Sequence, residues 1–159
     1  MRKGSALRAI GLAWLVAGCL DICSAFVIWS MNGVALTRGL KGIAIGLLGR
    51  DTALAGGGGT AALGLALHFF IMLCWTLVFY LASRSFPLLR RHSILSGIGL
   101  GLVVYIVMYW LVVPLSRIGP RPHSFNNDLT AILIHICLIG LPIAWIMSRV
   151  LQPDLETAS

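Results

Sequence analysis

The chain has 159 residues, 58% of them hydrophobic and only 11% charged, with a mean hydropathy of +0.94. A water-soluble domain carries roughly 25% charged residues, so this composition points to a membrane protein and away from an ordinary soluble fold. The formal net charge of +7 does not argue for nucleic acid. Lys and Arg gather at the ends of apolar runs, where they meet lipid headgroups, and no basic stripe is interleaved with exposed aromatics.

A hydrocarbon core about 30 Å thick takes about 20 apolar residues as helix. Four runs of that length fit, at 9–30, 61–83, 94–116 and 128–148. Their internal polar residues do not follow a period of two, and barrel strands would be shorter alternating segments. The expected fold is therefore all-α: a single integral membrane domain over 1–159, a four-helix transmembrane bundle. Lys and Arg number seven on the side of the termini and the second loop, against five in the first and third loops. The positive-inside rule then places both termini in the cytoplasm.

The first run follows Arg2, Lys3 and Arg8, as in a signal peptide, and Val16-Ala17-Gly18-Cys19 fits a lipoprotein cleavage box. The run continues, however, through Phe26, Val27, Ile28 and Trp29. A first transmembrane helix ending at an interfacial Trp29 accounts for all of it. In the long first loop, Leu36, Leu40, Ile43 and Leu47 fall at helical spacing, with Arg38 and Lys41 off that stripe. This predicts a short interfacial helix over 34–49, with Arg38 and Lys41 contacting lipid headgroups. Gly39, Gly42, Gly46 and Gly49 form a second stripe, read either as close packing against another helix or as a flexible loop.

Gly56–Gly59 lacks the spacing of a phosphate-binding loop and reads as a hinge into the second span. A short basic turn with Pro87 joins the second and third spans, and Pro120 and Pro122 lie in the loop after the third. Asn126 or Asn127 is the expected N-cap of the fourth span, with Asp128 favourable in its first turn. Pro142 is expected to kink that helix. The four cysteines, Cys19, Cys23, Cys74 and Cys137, all lie in apolar runs without a CxxC spacing and read as small packing residues. The polar tail from Gln152 is expected to fray.

Titratable side chains deep in hydrocarbon are costly, about 2.5–3.5 kcal/mol for Asp at a helix centre, so each needs a reason. Asp21, His68 and His135 qualify, and Tyr105 and Tyr109 add phenols. Counted from the expected helix ends, Asp21, His68, Tyr109 and His135 all fall about 10–14 Å below the same membrane face. Small residues share their helix faces: Ala17, Gly18, Ser24 and Ala25 around Asp21, Gly64 beside His68, and Gly97 and Gly101 below Tyr105. Such faces pack inward in membrane helices. Asp21, His68, His135, Tyr105 and Tyr109 are therefore expected to converge inside the bundle.

Three uses of such a cluster stay open. It can hold helices together through hydrogen bonds. It can pass a proton or small solute, with histidine as the switch. It can bind a cofactor: a haem b between His68 and His135, or a metal held by His68, His135 and Asp21, with Arg50, Arg117 and Arg121 the basic residues near that face. No GxSxG or HExxH motif signals an enzyme, and no cofactor is required by the residues. Membrane lipids are the expected partners, homo-oligomerisation is compatible with so small a bundle, and nucleic acid is not expected.

The segments GLLG at 46–49, GLALHF at 64–69, LVVPLS at 111–116 and IHICLIGLP at 134–142 resemble a group of small uncharacterised four-helix proteins of the bacterial inner membrane. The resemblance implies location and helix count. It carries no activity, substrate or cofactor.

Overall fold

The structure, a computed structural model, describes residues 3–151; the tail from Gln152 lies outside them. Among the described residues there is no strand. Four helices are long and apolar enough to cross a membrane: α1 (Gly4–Met31 within the helix Lys3–Met31), α4 (Gly58–Ser85), α6 (Ser93–Leu115) and α7 (Phe125–Leu151). Each overlaps an expected span and extends beyond it at one end or both. Three short helices complete the chain: α2 (Leu36–Leu48), α3 (Arg50–Ala55) and α5 (Leu88–Arg91). Helix α3, a turn and a half joined to α4 by the pair Gly56-Gly57, was not expected from the sequence.

Helix α1 packs on α4 and on α7, and α6 packs on α7, whereas α4 and α6 barely approach each other. The bundle is thus two layers, α1 with α4 and α6 with α7, joined through α1 and α7. One core spans them. Ala9, Ala13 and Ala17 recur at steps of four on one face of α1 and are fully buried with Met72, Phe79, Leu100, Val104, Ile143 and Met147. Alanines at that spacing let two helix backbones approach, which is how packing is gained where lipid removes the hydrophobic drive.

Glycine serves the same end in the α6–α7 pair. A Cβ at Gly140 would run into the carbonyl oxygen of Gly97, and one at Gly101 would meet the backbone of Ile136 and His135 at 2.5–2.8 Å. The GxxxG step on α6 is therefore a backbone-to-backbone crossing. Helix α2 makes another, since a Cβ at Gly64 of α4 would collide with the Leu40 carbonyl. Of the glycine stripe on α2, Gly39 lies under the Trp29 indole and Gly46 against Ser116 and Ile118, while Gly42 faces open space. Gly49 ends α2 at φ +84°, a left-handed conformation that favours glycine.

Two expectations are corrected at this level. The N-cap of α7 is Ser124, whose hydroxyl accepts from the Asn127 N–H at 3.4 Å, so Asn126 and Asn127 sit in the first turn. The four cysteines are all exposed on outward faces and pack no helix pair.

Pro142 leaves a π-turn ahead of it, His135–Gly140, and Pro114 likewise follows a π-turn at Met108–Val112. A proline in a helix offers no N–H to the carbonyl four residues back and crowds it. Widening the turn to i→i+5 bonding moves that carbonyl aside, and such turns recur at functional sites. The sequence points to distortion at Pro142, but it does not show the matching turn before Pro114.

The candidate functional site: a polar cluster in one half of the bundle

The first and third loops meet on one face. The Arg117 N–H donates to the Gly46 carbonyl at 3.1 Å, and Arg117 Nη1 donates to the Leu48 carbonyl at 3.1 Å. That face is called the loop face below, and the face bearing the ends of the chain and α5 the terminal face. Asp21, His68, Tyr109 and His135 lie in the half of the bundle nearer the loop face. The apolar core fills the other half, beginning about one turn away at Met72, Val104 and Ile139.

His68 is buried at 8% exposure and reaches across from α4 to α1. Its Nε2 lies 3.0 Å from the Gly18 carbonyl oxygen. A carbonyl only accepts, so Nε2 carries a hydrogen and donates. The other ring nitrogen, Nδ1, faces Asp21 Oδ2 at 3.8 Å, inside ion-pair range but longer than a hydrogen bond. With Nε2 already protonated, Nδ1 and an ionised Asp21 would present lone pairs to each other. One proton, on either group, converts that repulsion into attraction.

Gly18 lets this happen. A Cβ there would meet the Phe69 ring at 2.7 Å, so a larger residue would have to displace that ring beside the Gly18 carbonyl. Next to it, Trp14 Nε1 donates to the Phe69 carbonyl at 2.7 Å. This second cross-helix bond was not anticipated from sequence; its signal was a tryptophan well inside an apolar run, whose N–H needs a partner.

The remaining site residues belong to α6 and α7. His135 Nδ1 lies 2.6 Å from the Ala131 carbonyl one turn back, so Nδ1 donates and Nε2 is the nitrogen left to take a proton. The Tyr105 and Tyr109 rings stack with centroids 5.0 Å apart, and the His135 ring stands edge-on to them at 6.2 and 5.9 Å. His135 opens one π-turn and Tyr109 lies in the other.

The five residues therefore form two groups, Asp21 with His68 and His135 with Tyr105 and Tyr109. They face each other where α1 packs on the π-turn of α7. Asp21 lies within electrostatic range of both histidines, and of Tyr109.

Nearer the loop face a further set was missed from sequence. His123 Nδ1 lies 3.1 Å from Asp128 Oδ1, and its ring stacks on Trp110 at 4.2 Å and 12°. Asp128 and Arg121 are within electrostatic range of Tyr109. Titratable groups thus run from the third loop to the middle of the bundle.

In the terminal half, the buried hydroxyls of Thr76, Ser83 and Ser148 each donate to a carbonyl of their own helix. No buried His, Asp or Glu occurs there among the described residues. The clustered His, Asp and Tyr side chains therefore lie toward the loop face, while the charged residue buried at the terminal face is Arg90.

The other site residues are placed as follows. Arg38 is exposed on α2. Lys41 is half-buried and donates to the Leu54 carbonyl at 3.4 Å, near the C-terminus of α3. Among the described residues no group of three or more His, Cys, Asp and Glu is placed to hold a metal ion. His68 has Nε2 on the Gly18 carbonyl and Nδ1 toward Asp21. No protein-family model, curated protein or solved structure matches this chain.

Proposed function

We propose that this is a protein of the bacterial inner membrane, both termini cytoplasmic, that takes up protons from the opposite side into the Asp21–His68 pair and uses that charge change to move a proton or a small solute. One observation carries the reading. His68 commits Nε2 to the Gly18 carbonyl and turns Nδ1 to Asp21, so the pair is built around one exchangeable proton. Tyr109, His135, Asp128 and His123 supply a line of groups toward the loop face.

The test is proton flux in vesicles reconstituted with the purified chain and loaded with a pH-sensitive dye. Asp21→Asn should lower flux at least tenfold. Flux no greater than in empty vesicles for the native chain overturns the reading.

A second reading rests on its own observation. His68 to Gly18 and Trp14 to Phe69 are two neighbouring hydrogen bonds across the same helix pair. Such bonds hold membrane helices together at about 1 kcal/mol each. If the cluster is only structural, Asp21→Asn lowers stability and the native chain carries no flux.

A further inference from the structure

Away from the polar cluster, the outward face of α7 carries an open groove of about 410 Å³. Val16 and Leu20 of α1 form one wall and Ser93 and Ile94 of α6 the other, with Cys137 and Trp145 along the floor. Helices α1 and α6 both pack on α7 and leave this strip of it uncovered. Trp145 is 55% exposed along it.

The two ends of the groove differ in chemistry. At the terminal end, the guanidinium carbon of Arg149 lies 5.7 Å from the centre of the Trp145 ring. Arg91, also exposed, comes two residues before Ser93 at the same end. Toward Cys137, Val16 and Leu20 the lining is apolar. A cationic mouth leading into an apolar trough matches a molecule with an anionic head and a hydrocarbon tail.

From Cys137 to Trp145 the floor is about 12 Å long at 1.5 Å per residue and is lined by apolar side chains, a path that an extended acyl chain can follow.

We infer that this groove is a binding site for an anionic phospholipid, with one acyl chain along α7 and the phosphate held by Arg149 and Arg91. Arginine suits this role, since its planar fork of donors matches phosphate oxygens. The site is distinct from the α2 surface bearing Arg38 and does not depend on the proton reading.

The experiment uses the full chain in nanodiscs containing a trace of phosphatidylglycerol with a photoactivatable group on one acyl chain. Labelling should concentrate between Cys137 and Ile146 and at Ile94. Unlabelled phosphatidylglycerol should compete at least fivefold better than phosphatidylcholine. The double variant Arg91→Gln, Arg149→Gln should lower groove labelling at least fivefold while leaving labelling of the outward α4 residues Phe70 and Val78 unchanged. Cys137→Phe, which fills the trough and keeps both arginines, should lower groove labelling alone. Even labelling of the groove and of α4, or equal competition by the two lipids, overturns the inference and leaves ordinary boundary lipid. Groove labelling that disappears as Cys137 cross-links to Cys137 of a second chain also overturns it, in favour of a protein contact.

Discussion

His135 opens the π-turn of α7 and Tyr109 lies in the π-turn of α6, their rings 5.9 Å apart and 80° to each other. Each turn is followed by a proline, Pro114 or Pro142. The distortions and the site residues coincide because the proline that removes a backbone donor also forces the widened turn, and that turn re-aims the side chains it carries.

Pro142→Ala should restore an N–H to the α7 backbone and relax the π-turn toward α-helix. The expected gain in stability is about 1 kcal/mol, below the full interior cost of proline because the turn already accommodates it. Detergent unfolding measures the gain, and the vesicle assay should show reduced flux as His135 rotates off Tyr109. Unchanged stability and unchanged flux would show that Pro142 does not maintain the turn.

Asp21 and His68 should behave as a pair. Asp21→Asn and His68→Gln each leave one side of the 3.8 Å contact without its partner. A double-mutant cycle on unfolding free energy is expected to give a coupling of about 1 kcal/mol. Strict additivity would mean that the two residues do not sense each other.

The α6–α7 crossing gives a matched comparison on one helix. A Cβ at Gly97 would meet the Leu141 Cα at 2.8 Å, whereas a Cβ at Gly99 has nothing within 4 Å. Gly97→Ala should destabilise the protein by about 1–3 kcal/mol, the range for overpacking. Gly99→Ala should be neutral or slightly stabilising, since alanine is the better helix former by about 1 kcal/mol. Equal effects in thermal melts would show that the helices are not in backbone contact.

Trp14→Phe keeps an aromatic ring against Phe69, where the two rings now meet edge-on at 6.0 Å, and removes the hydrogen bond to the Phe69 carbonyl. The loss should be about 1 kcal/mol in unfolding, because that carbonyl keeps its own helical donor. Proton flux should not change, since Trp14 holds no exchangeable proton in the cluster.

The first and third loops are joined by Arg117, so they lie on one side of any membrane the helices cross. Single cysteines introduced at Arg38 and at Pro120, in a chain whose native cysteines are replaced by alanine, should react from the same side with an impermeant thiol reagent. In the proposed orientation, with both termini cytoplasmic, that side is the periplasmic one.

The sequence by itself determined the class of the protein, because the need for about 20 apolar residues per crossing is a local property that any window reveals. The four spans, the shared side of the two loops and the glycine faces of Tyr105 and His68 follow from counting along the chain. Helical periodicity says which face a residue occupies, but not which atom of another helix will stand opposite it. That atom decided the site. His68 was legible as an inward polar group, but its bond to the Gly18 carbonyl was not, because it depends on how closely α4 approaches α1. Nothing in the third span told that Pro114 would leave a π-turn that includes Tyr109. His123, in the third loop, joins the site only because folding lays it on Trp110 and beside Asp128. Burial cost is written in the sequence, residue by residue. The partners that offset it are chosen only when backbones pack, since a hydrogen bond forms or fails within a few tenths of an ångström.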